Sequence, residues 1–399
     1  MKTSLRPILF AFLAGLFAAF YMSSLNLYKS IIDCVSTDRK DSPEEIENQR
    51  GLDTISAVSG HIYSGQKIRE SAISKTDYSI APKLSLDNHR CELPLVGVTT
   101  TLKARTQCID ETASFIRVVV VGDIGSEPYH NLLNVVYLGL EDQERLYPGL
   151  ERTSPLRSFS RKNLGFVHAF LGMNACAVWD FDDDNCLSNG TRAFLSSVVS
   201  SGLKKPLLWL TSELSTTNPY LLYGSSDFIW PRGFPLEHLS EREFPRVVRS
   251  EGLLADVQTD VVQVMQDYDP DVDALWRLEN SKSLPMDWKL SAVLKDHTNL
   301  VGIHPSRMTP FNAQATVLSR RALAIAFLPA TVHGRVSEIW RSYIIQYFLA
   351  RAVNPSAVAF SGTVAFSGAS VMHNQSKHNY KADFNAESQA RSSTTRPWR

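Results

Sequence analysis

Neither sign of charge is in excess in this chain. Its 399 residues carry 41 Lys plus Arg against 41 Asp plus Glu, so the global electrostatic footprint of a nucleic-acid binder is missing and any anion site must be local. Its five cysteines, Cys34, Cys91, Cys108, Cys176 and Cys186, show none of the close spacings that hold zinc. They leave room for a disulfide or two, with pairing unspecified and one thiol over. The histidines, His168, His304 and His333 among them, also lack ligand spacing. No nucleophile motif stands out, which sets a metal-dependent phosphohydrolase well behind other readings. What remains is a globular composition, 44% hydrophobic and 21% charged, long enough for one large or two ordinary domains.

The N-terminus carries the first positive signal. After Lys2 and Arg6 comes an uncharged stretch from Pro7 to Tyr28, almost wholly apolar from Ile8 to Met22, closed by Lys29. Twenty-two uncharged residues can span a bilayer. The stretch is expected to be a transmembrane signal anchor (7–28) behind a short cytoplasmic tail (1–6), with a cleaved signal peptide as the competing reading. Lys29, Arg39 and Lys40 follow it, so flanking charge orients it only weakly. Two sequons, Asn189-Gly-Thr and Asn374-Gln-Ser, fit N-glycosylation of a chain body in the secretory lumen. Residues 29–92 are polar and aperiodic and read as a stem.

From Leu93 the pattern changes. LPLVGVTTT, FIRVVVVGD (Phe115–Asp123), NVVYLGL (Asn134–Leu140) and ACAVW (Ala175–Trp179) read as buried strands, and Lys162–Gly172 has helical spacing. Strands alternating with helices at this interval argue for an α/β fold with an open sheet, whose ligands sit outside the carboxyl ends of the strands. The fourth strand stops on Asp180, Asp182, Asp183 and Asp184. Strand residues alternate sides, so Asp182 and Asp184 face one point if the extended backbone continues through the acids. Two such carboxylates with substrate phosphates suit Mn²⁺ or Mg²⁺. An acidic turn capping the next helix, with Asn185 and Ser188 as turn residues, is the competing reading.

The run RKNLGFVHAFLGMNACAVWDFDDDN (Arg161–Asn185) resembles the STELLO-type glycosyltransferase-like family, whose core carries a similar Lys-Asn-x-Gly-Tyr helix, strand and D-x-D-D segment. WPRGFPL (Trp230–Leu236), DPDVDALWRL (Asp269–Leu278), PFNAQAT (Pro310–Thr316) and GRVSEIWRSY (Gly334–Tyr343) are similar to further elements of that family, in the same order. Phe166 stands where the family usually has Tyr, and Glu338 where Asp is common. The resemblance implies a GT-A-like nucleotide-sugar fold over residues 93–385, more distantly similar to the reversibly glycosylated polypeptides, followed by a polar tail (386–399). Many relatives continue into a second region beyond this point, and a function housed there is expected to be absent. The resemblance further implies a type II Golgi membrane protein with a nucleotide diphosphate sugar as donor, a glycan or glycoprotein as acceptor, and a polysaccharide synthase complex as a partner.

Residue roles follow as expectations. Asp182 and Asp184 are the candidate metal ligands, because a divalent cation would stabilise the departing diphosphate. Asp123 is placed to bind uracil or ribose hydroxyls; a plain turn explains it equally. Arg161, Lys162 and Asn163 are candidates for diphosphate or sugar contacts, with a solvated helix start as the alternative. Arg232, beside Gly233, offers donors to phosphate or sugar. Asp271 and Asp273 are candidates for acceptor or donor hydroxyls, with capping acids as the alternative. Glu338 is the candidate general base, and Trp340 and Arg341 the candidate substrate contacts, unless Trp340 is core and Arg341 is paired with a carboxylate.

Overall fold

The computed structural model describes residues 91–129, 132–223, 227–242, 245–266, 270–280, 300–350, 363–373 and 379–394. The expected cytoplasmic tail, the anchor at 7–28, nearly all of the stem, Cys34 and the Asn374 sequon lie outside the described residues. Among those described, no helix is long and apolar enough to cross a membrane.

The four strands expected from the sequence form: β1 (Val96–Thr101), β2 (Arg117–Gly122), β3 (Val135–Leu138) and β4 (Ala177–Phe181). They pair in parallel in the order β3-β2-β1-β4. In β2, Val118 and Val120 pack into one core and Val119 and Val121 into another. That is why the strand reads as a continuous valine run, since a parallel strand is covered on both faces. On one face lie α1 (Gln107–Ala113) and, later, α5 (Asn189–Ser201); on the other lies α4 (Lys162–Val167), after α2 (Leu140–Leu146) and α3 (Pro148–Thr153). The helical spacing to Gly172 resolves into α4 followed by one wide turn over His168–Gly172.

Beyond β4 the sheet continues through strands that are harder to see in the sequence. After β5 (Asn185–Leu187), β6 (Leu208–Thr211) and β7 (Arg246–Arg249) come β8 (Thr259–Gln266), β9 (Leu300–Ile303), β10 (Ala315–Ser319) and β11 (Thr363–His373). The order runs β4-β10-β8-β11-β9-β6-β7, with β5 pairing β11 off this path. β10 is antiparallel to both β4 and β8, so the sheet is open and mixed. Three further helices follow in the chain, α6 (Ala274–Glu279), α7 (Arg320–Leu323) and α8 (Gly334–Leu349). α8 is started by His333, whose ring accepts from the Arg335 N–H. Ile345 and Leu349 of α8 pack with Val261 of β8 and Leu318 of β10. Leu318 stands beside Val178 of β4, and Val178 belongs to the core under α4. Thus α4 and α8 cover the same face, and the seam between them runs over β4.

α9 (Tyr380–Thr394) crosses the boundary expected after residue 385. Its polar composition suggests a tail, yet Ala386 and Glu387 are buried. Glu387 accepts from the Arg335 guanidinium at 2.7 and 3.0 Å and from the Ala274 N–H at 3.0 Å, and Asp383 lies 3.5 Å from the same guanidinium, so polar side chains dock the helix.

Two disulfides close the open cysteine question, Cys91–Cys176 and Cys108–Cys186. The first ties the start of the described chain to the entry of β4, and the second ties α1 to β5. Both therefore grip the segment that carries the acids.

Candidate functional site

β4 ends at Phe181, one residue before the acids turn. The Asn185 N–H donates to the Asp182 carbonyl at 3.0 Å, closing a four-residue turn, and the extended geometry that would align Asp182 with Asp184 is not continued. Strand alternation instead operates one step earlier. Val178 faces α4, so Asp180 and Asp182 project to that same side. The pair that shares a point is Asp180 with Asp182.

Lys162, in the first turn of α4, fills that point. Its Nζ lies 2.9 Å from Asp180 Oδ1 and 2.9 Å from Asp182 Oδ1. It also donates to the carbonyls of Phe181 at 3.0 Å and Ala313 at 3.2 Å. The Phe159 ring covers it at 4.3 Å, and its side chain is fully buried. Burial alone would lower its pKa, but Asp180 and Asp182 outweigh that and raise it, so the ammonium stays charged. Burial pushes the Asp182 carboxyl up to about 7 despite Lys162.

The other acids of the cluster point elsewhere. Asp183 accepts from Thr101 Oγ1 at 2.6 Å and from Lys103 Nζ at 3.0 Å, and its carbonyl accepts from Thr106 Oγ1 at 2.8 Å. This stitches the turn to the end of β1. Asp184 stays in the turn, half-buried. Among the described residues no group of three or more His, Cys, Asp or Glu could hold a metal ion. As arranged, the acids do not fit a divalent cation, because the shared point of Asp180 and Asp182 is occupied by an ammonium.

α8 supplies a second layer. Glu338 and Arg341 stand three residues apart on its sheet-facing side, buried. Arg341 Nη1 donates to Asp180 Oδ2 at 2.6 Å, so Asp180 carries two cations. Glu338 Oε1 takes Arg232 Nη2 at 2.6 Å, and Oε2 accepts from the Ala313 N–H at 2.8 Å. Both oxygens are engaged, and a proton arriving from an acceptor hydroxyl would have to displace a donor. Arg232 also grips Asp271 through Nε and Nη2, at 3.0 and 2.6 Å to Oδ2, and donates to the Arg335 carbonyl at 2.6 Å. Burial would raise the Asp271 carboxyl, but Arg232 and Arg335, with hydrogen bonds from Arg232 and Asn312, hold it well below the usual range.

The remaining expected residues are placed as follows. Asp123 sits at the end of β2, accepting from the N–H groups of Ile124 and Arg157, each at 2.7 Å. Arg161 is buried toward Gln143, Ser154 and Glu151 and does not touch the acids. Asn163 makes a reciprocal pair with the Leu328 backbone at 2.8 and 2.9 Å. Asp273 caps α6, accepting from the Leu275 N–H at 2.9 Å. Trp340 is half-buried. Asn189 is exposed at the first turn of α5, whereas Thr191 of its sequon is buried.

Asp180, one of the four acids but not one of the two candidate ligands, is the one that shares Lys162 with Asp182, and an amide chain not expected from the sequence lies beside the site. Asn312 Nδ2 donates to Asp271 at 3.0 Å and to Gln314 Oε1 at 2.9 Å, and Gln266 Nε2 donates to the same Gln314 oxygen at 2.8 Å. Asn312, Gln266 and Asp271 line a narrow cleft with Arg232, Tyr220 and Tyr223. Asn312 and Gln314 lie inside the PFNAQAT element, which is the signal the sequence offered for them, whereas Gln266 carried none.

Fold and site together define an α/β protein with an open mixed sheet flanked by helices, whose parallel half ends on a buried lattice of alternating charges. No family model matches the chain. It is 25% identical over 237 residues to "Probable glycosyltransferase STELLO2" and 25% identical over 236 residues to "Probable glycosyltransferase STELLO1", both of Arabidopsis thaliana. Each match covers 57% of this chain and only 29% of the relative's length. The chain is thus distantly related to these glycosyltransferase-like proteins. A crystal structure of a mycobacterial protein is similar at a TM-score of 0.30 and 12% identity, covering 78% of this chain and 77% of that one; that likeness carries no weight here.

Proposed function

We propose that this protein is a Golgi-lumenal glycosyltransferase that binds a nucleotide diphosphate sugar and passes the sugar to a glycan or protein acceptor, held to the membrane by its N-terminal segment as a type II protein. The observation that carries this reading is the acidic turn at the carboxyl ends of β1 and β4. Strand order runs outward from β1 through β2 to β3 on one side and steps to β4 on the other, and such a reversal opens the crevice where α/β sheets bind nucleotides. Thr101 and Lys103 from β1's end meet Asp183 there. The distant STELLO relationship supports sugar transfer as the chemistry. The two disulfides support an oxidising compartment.

In the proposed reaction the bond between the anomeric carbon and the diphosphate oxygen breaks, the acceptor oxygen takes its place, and the acceptor proton passes to a carboxylate. Asp271, Asp123 and Arg232 are the proposed hydroxyl- and phosphate-facing groups, and Glu338 positions Arg232. Mn²⁺ or Mg²⁺ on Asp182 and Asp184 is the expectation the acid pattern raises, but Lys162 holds Asp182 at 2.9 Å.

A catalytically weak scaffold that organises a polysaccharide synthase or another partner is the second reading, favoured by the engagement of both Glu338 oxygens. Calorimetric titration of the full chain with UDP and GDP, with and without Mn²⁺, separates the two. Saturable nucleotide binding that weakens in Asp182→Asn, Asp184→Asn supports the donor site; a folded wild type that binds neither nucleotide favours the scaffold.

A further inference from the structure

We infer that Lys162 is the resident cation of the acidic strand end: its ammonium takes the place between Asp180 and Asp182 that a divalent ion would need, and the site works without one. Only the nucleotide part of this inference rests on the proposed donor site; the cation part stands on geometry.

Four oxygens surround Nζ at 2.9 to 3.2 Å, two from carboxylates and two from main-chain carbonyls. These are hydrogen-bond lengths for an ammonium, whereas Mg²⁺ draws its oxygens to about 2.0–2.1 Å. The set resembles a hard-cation cage in composition, two carboxyl and two carbonyl oxygens, and the ammonium supplies part of the positive charge such a cage calls for. Arg341 supplies the rest through Asp180 Oδ2. Two cations therefore already sit against the acids before any ligand arrives.

The lysine is not a mobile surface group able to swing aside. It rises from the buried first turn of α4, which Gly165 seats directly on β1 and β2, where an added Cβ would lie 2.6 Å from Val98 and 2.9 Å from Val121. The Phe159 ring closes its remaining side. A divalent ion entering here would have to expel a charged, fully buried side chain into a space already packed. Removing one member of a buried ionic set also leaves the others uncompensated.

The test is Mn²⁺ titration of the full chain followed by electron paramagnetic resonance of the free ion, on wild type, Asp182→Asn and Lys162→Met. The expected result is no stoichiometric uptake by wild type or by Asp182→Asn, and one bound Mn²⁺ gained by Lys162→Met, whose two acids then face an empty cage. One Mn²⁺ bound by wild type and lost in Asp182→Asn would overturn the inference. So would a folded Lys162→Met that binds none, since the lysine would then not be standing in for the ion. If Lys162→Met does not fold, wild type against Asp182→Asn still decides. UDP binding in EDTA equal to that in Mn²⁺ supports the metal-free site, and UDP binding that requires Mn²⁺ and Asp182 overturns it. Binding of neither UDP nor GDP under either condition sinks the proposed function instead, leaving the Mn²⁺ titration to judge Lys162.

Discussion

Asp271 shows how a single carboxylate reports on the site's electrostatics. It lies between Arg232, which reaches it through two nitrogens, and Asn312, and these partners depress its pKa below the ordinary carboxylate range despite burial. A depressed folded-state value means that the unfolded chain, with Asp near 3.9, binds the proton first as pH falls. The stability Asp271 contributes is then fully present above about pH 5 and erodes as pH drops through about 4 and below. Asp271→Asn should cost about 3 kcal/mol at pH 7, the lower end for breaking a buried pair because Glu338 remains beside Arg232. The difference in unfolding free energy between wild type and variant, followed by urea denaturation from pH 7 to pH 3, should shrink on acidification. A difference that stays constant would place Asp271's contribution in packing rather than charge. At this scale the sequence displayed the right residue types but not their partners. Which acid meets which base depends on where β4 ends, and with the strand ending at Phe181 it is Asp180 and Asp182 that meet Lys162.

Whole elements were easier to read where both faces are apolar. β1 to β4 announce themselves because valines fill the cores on either side of the sheet. β8 and β10 are less visible because they bury Asp260, Gln263, Gln266 and Thr316, polar groups whose hydrogen bonds come from far along the chain. Ser319 and Arg321 hold Asp260, for example, at 2.6 to 3.0 Å. The second half of α9 falls in the stretch that reads as a polar tail for the same reason, since the helix docks on Arg335 through Asp383 and Glu387. α4 offers the sharpest test of an element's placement. Its Gly165 lies against Val98 and Val121, where a methyl group would clash, so the glycine in the Lys-Asn-x-Gly element lets the helix sit close enough for Lys162 to reach Asp180. Gly165→Ala improves helix propensity by roughly 1 kcal/mol, yet overpacking is expected to outweigh it, with a net loss of about 1–3 kcal/mol. Thermal unfolding should show a lowered midpoint. An unchanged or raised midpoint would mean that the helix tolerates a wider gap from the sheet.

For the molecule as a whole, the disulfides decide how firmly the acidic turn is held. Cys91–Cys176 and Cys108–Cys186 close loops of 85 and 78 residues in sequence separation. In the chain-entropy picture each stabilises the fold by about 4.5 kcal/mol, and in practice typically by about 2–4 kcal/mol. They enter the acid segment from both ends, one just before β4 and one two residues after Asp184, while Thr101, Lys103 and Thr106 pin Asp183 between them. The turn is thus fixed to β1 and α1 by covalent and polar links, whereas Lys162 and Arg341 hold Asp180 from the opposite side. These two sets of links are separable. Cys108→Ala, Cys186→Ala should lower global stability by about 2–4 kcal/mol and speed amide hydrogen exchange at Asp183 to Cys186, while the amides of Val178 to Asp180, inside the sheet, keep their protection relative to the new global value. Equal loss of protection in both stretches would mean that the turn and strand open as one unit. In that case reduction of a single disulfide would dismantle the Lys162 cage together with the turn, and the charge lattice would depend on that disulfide as directly as the fold does.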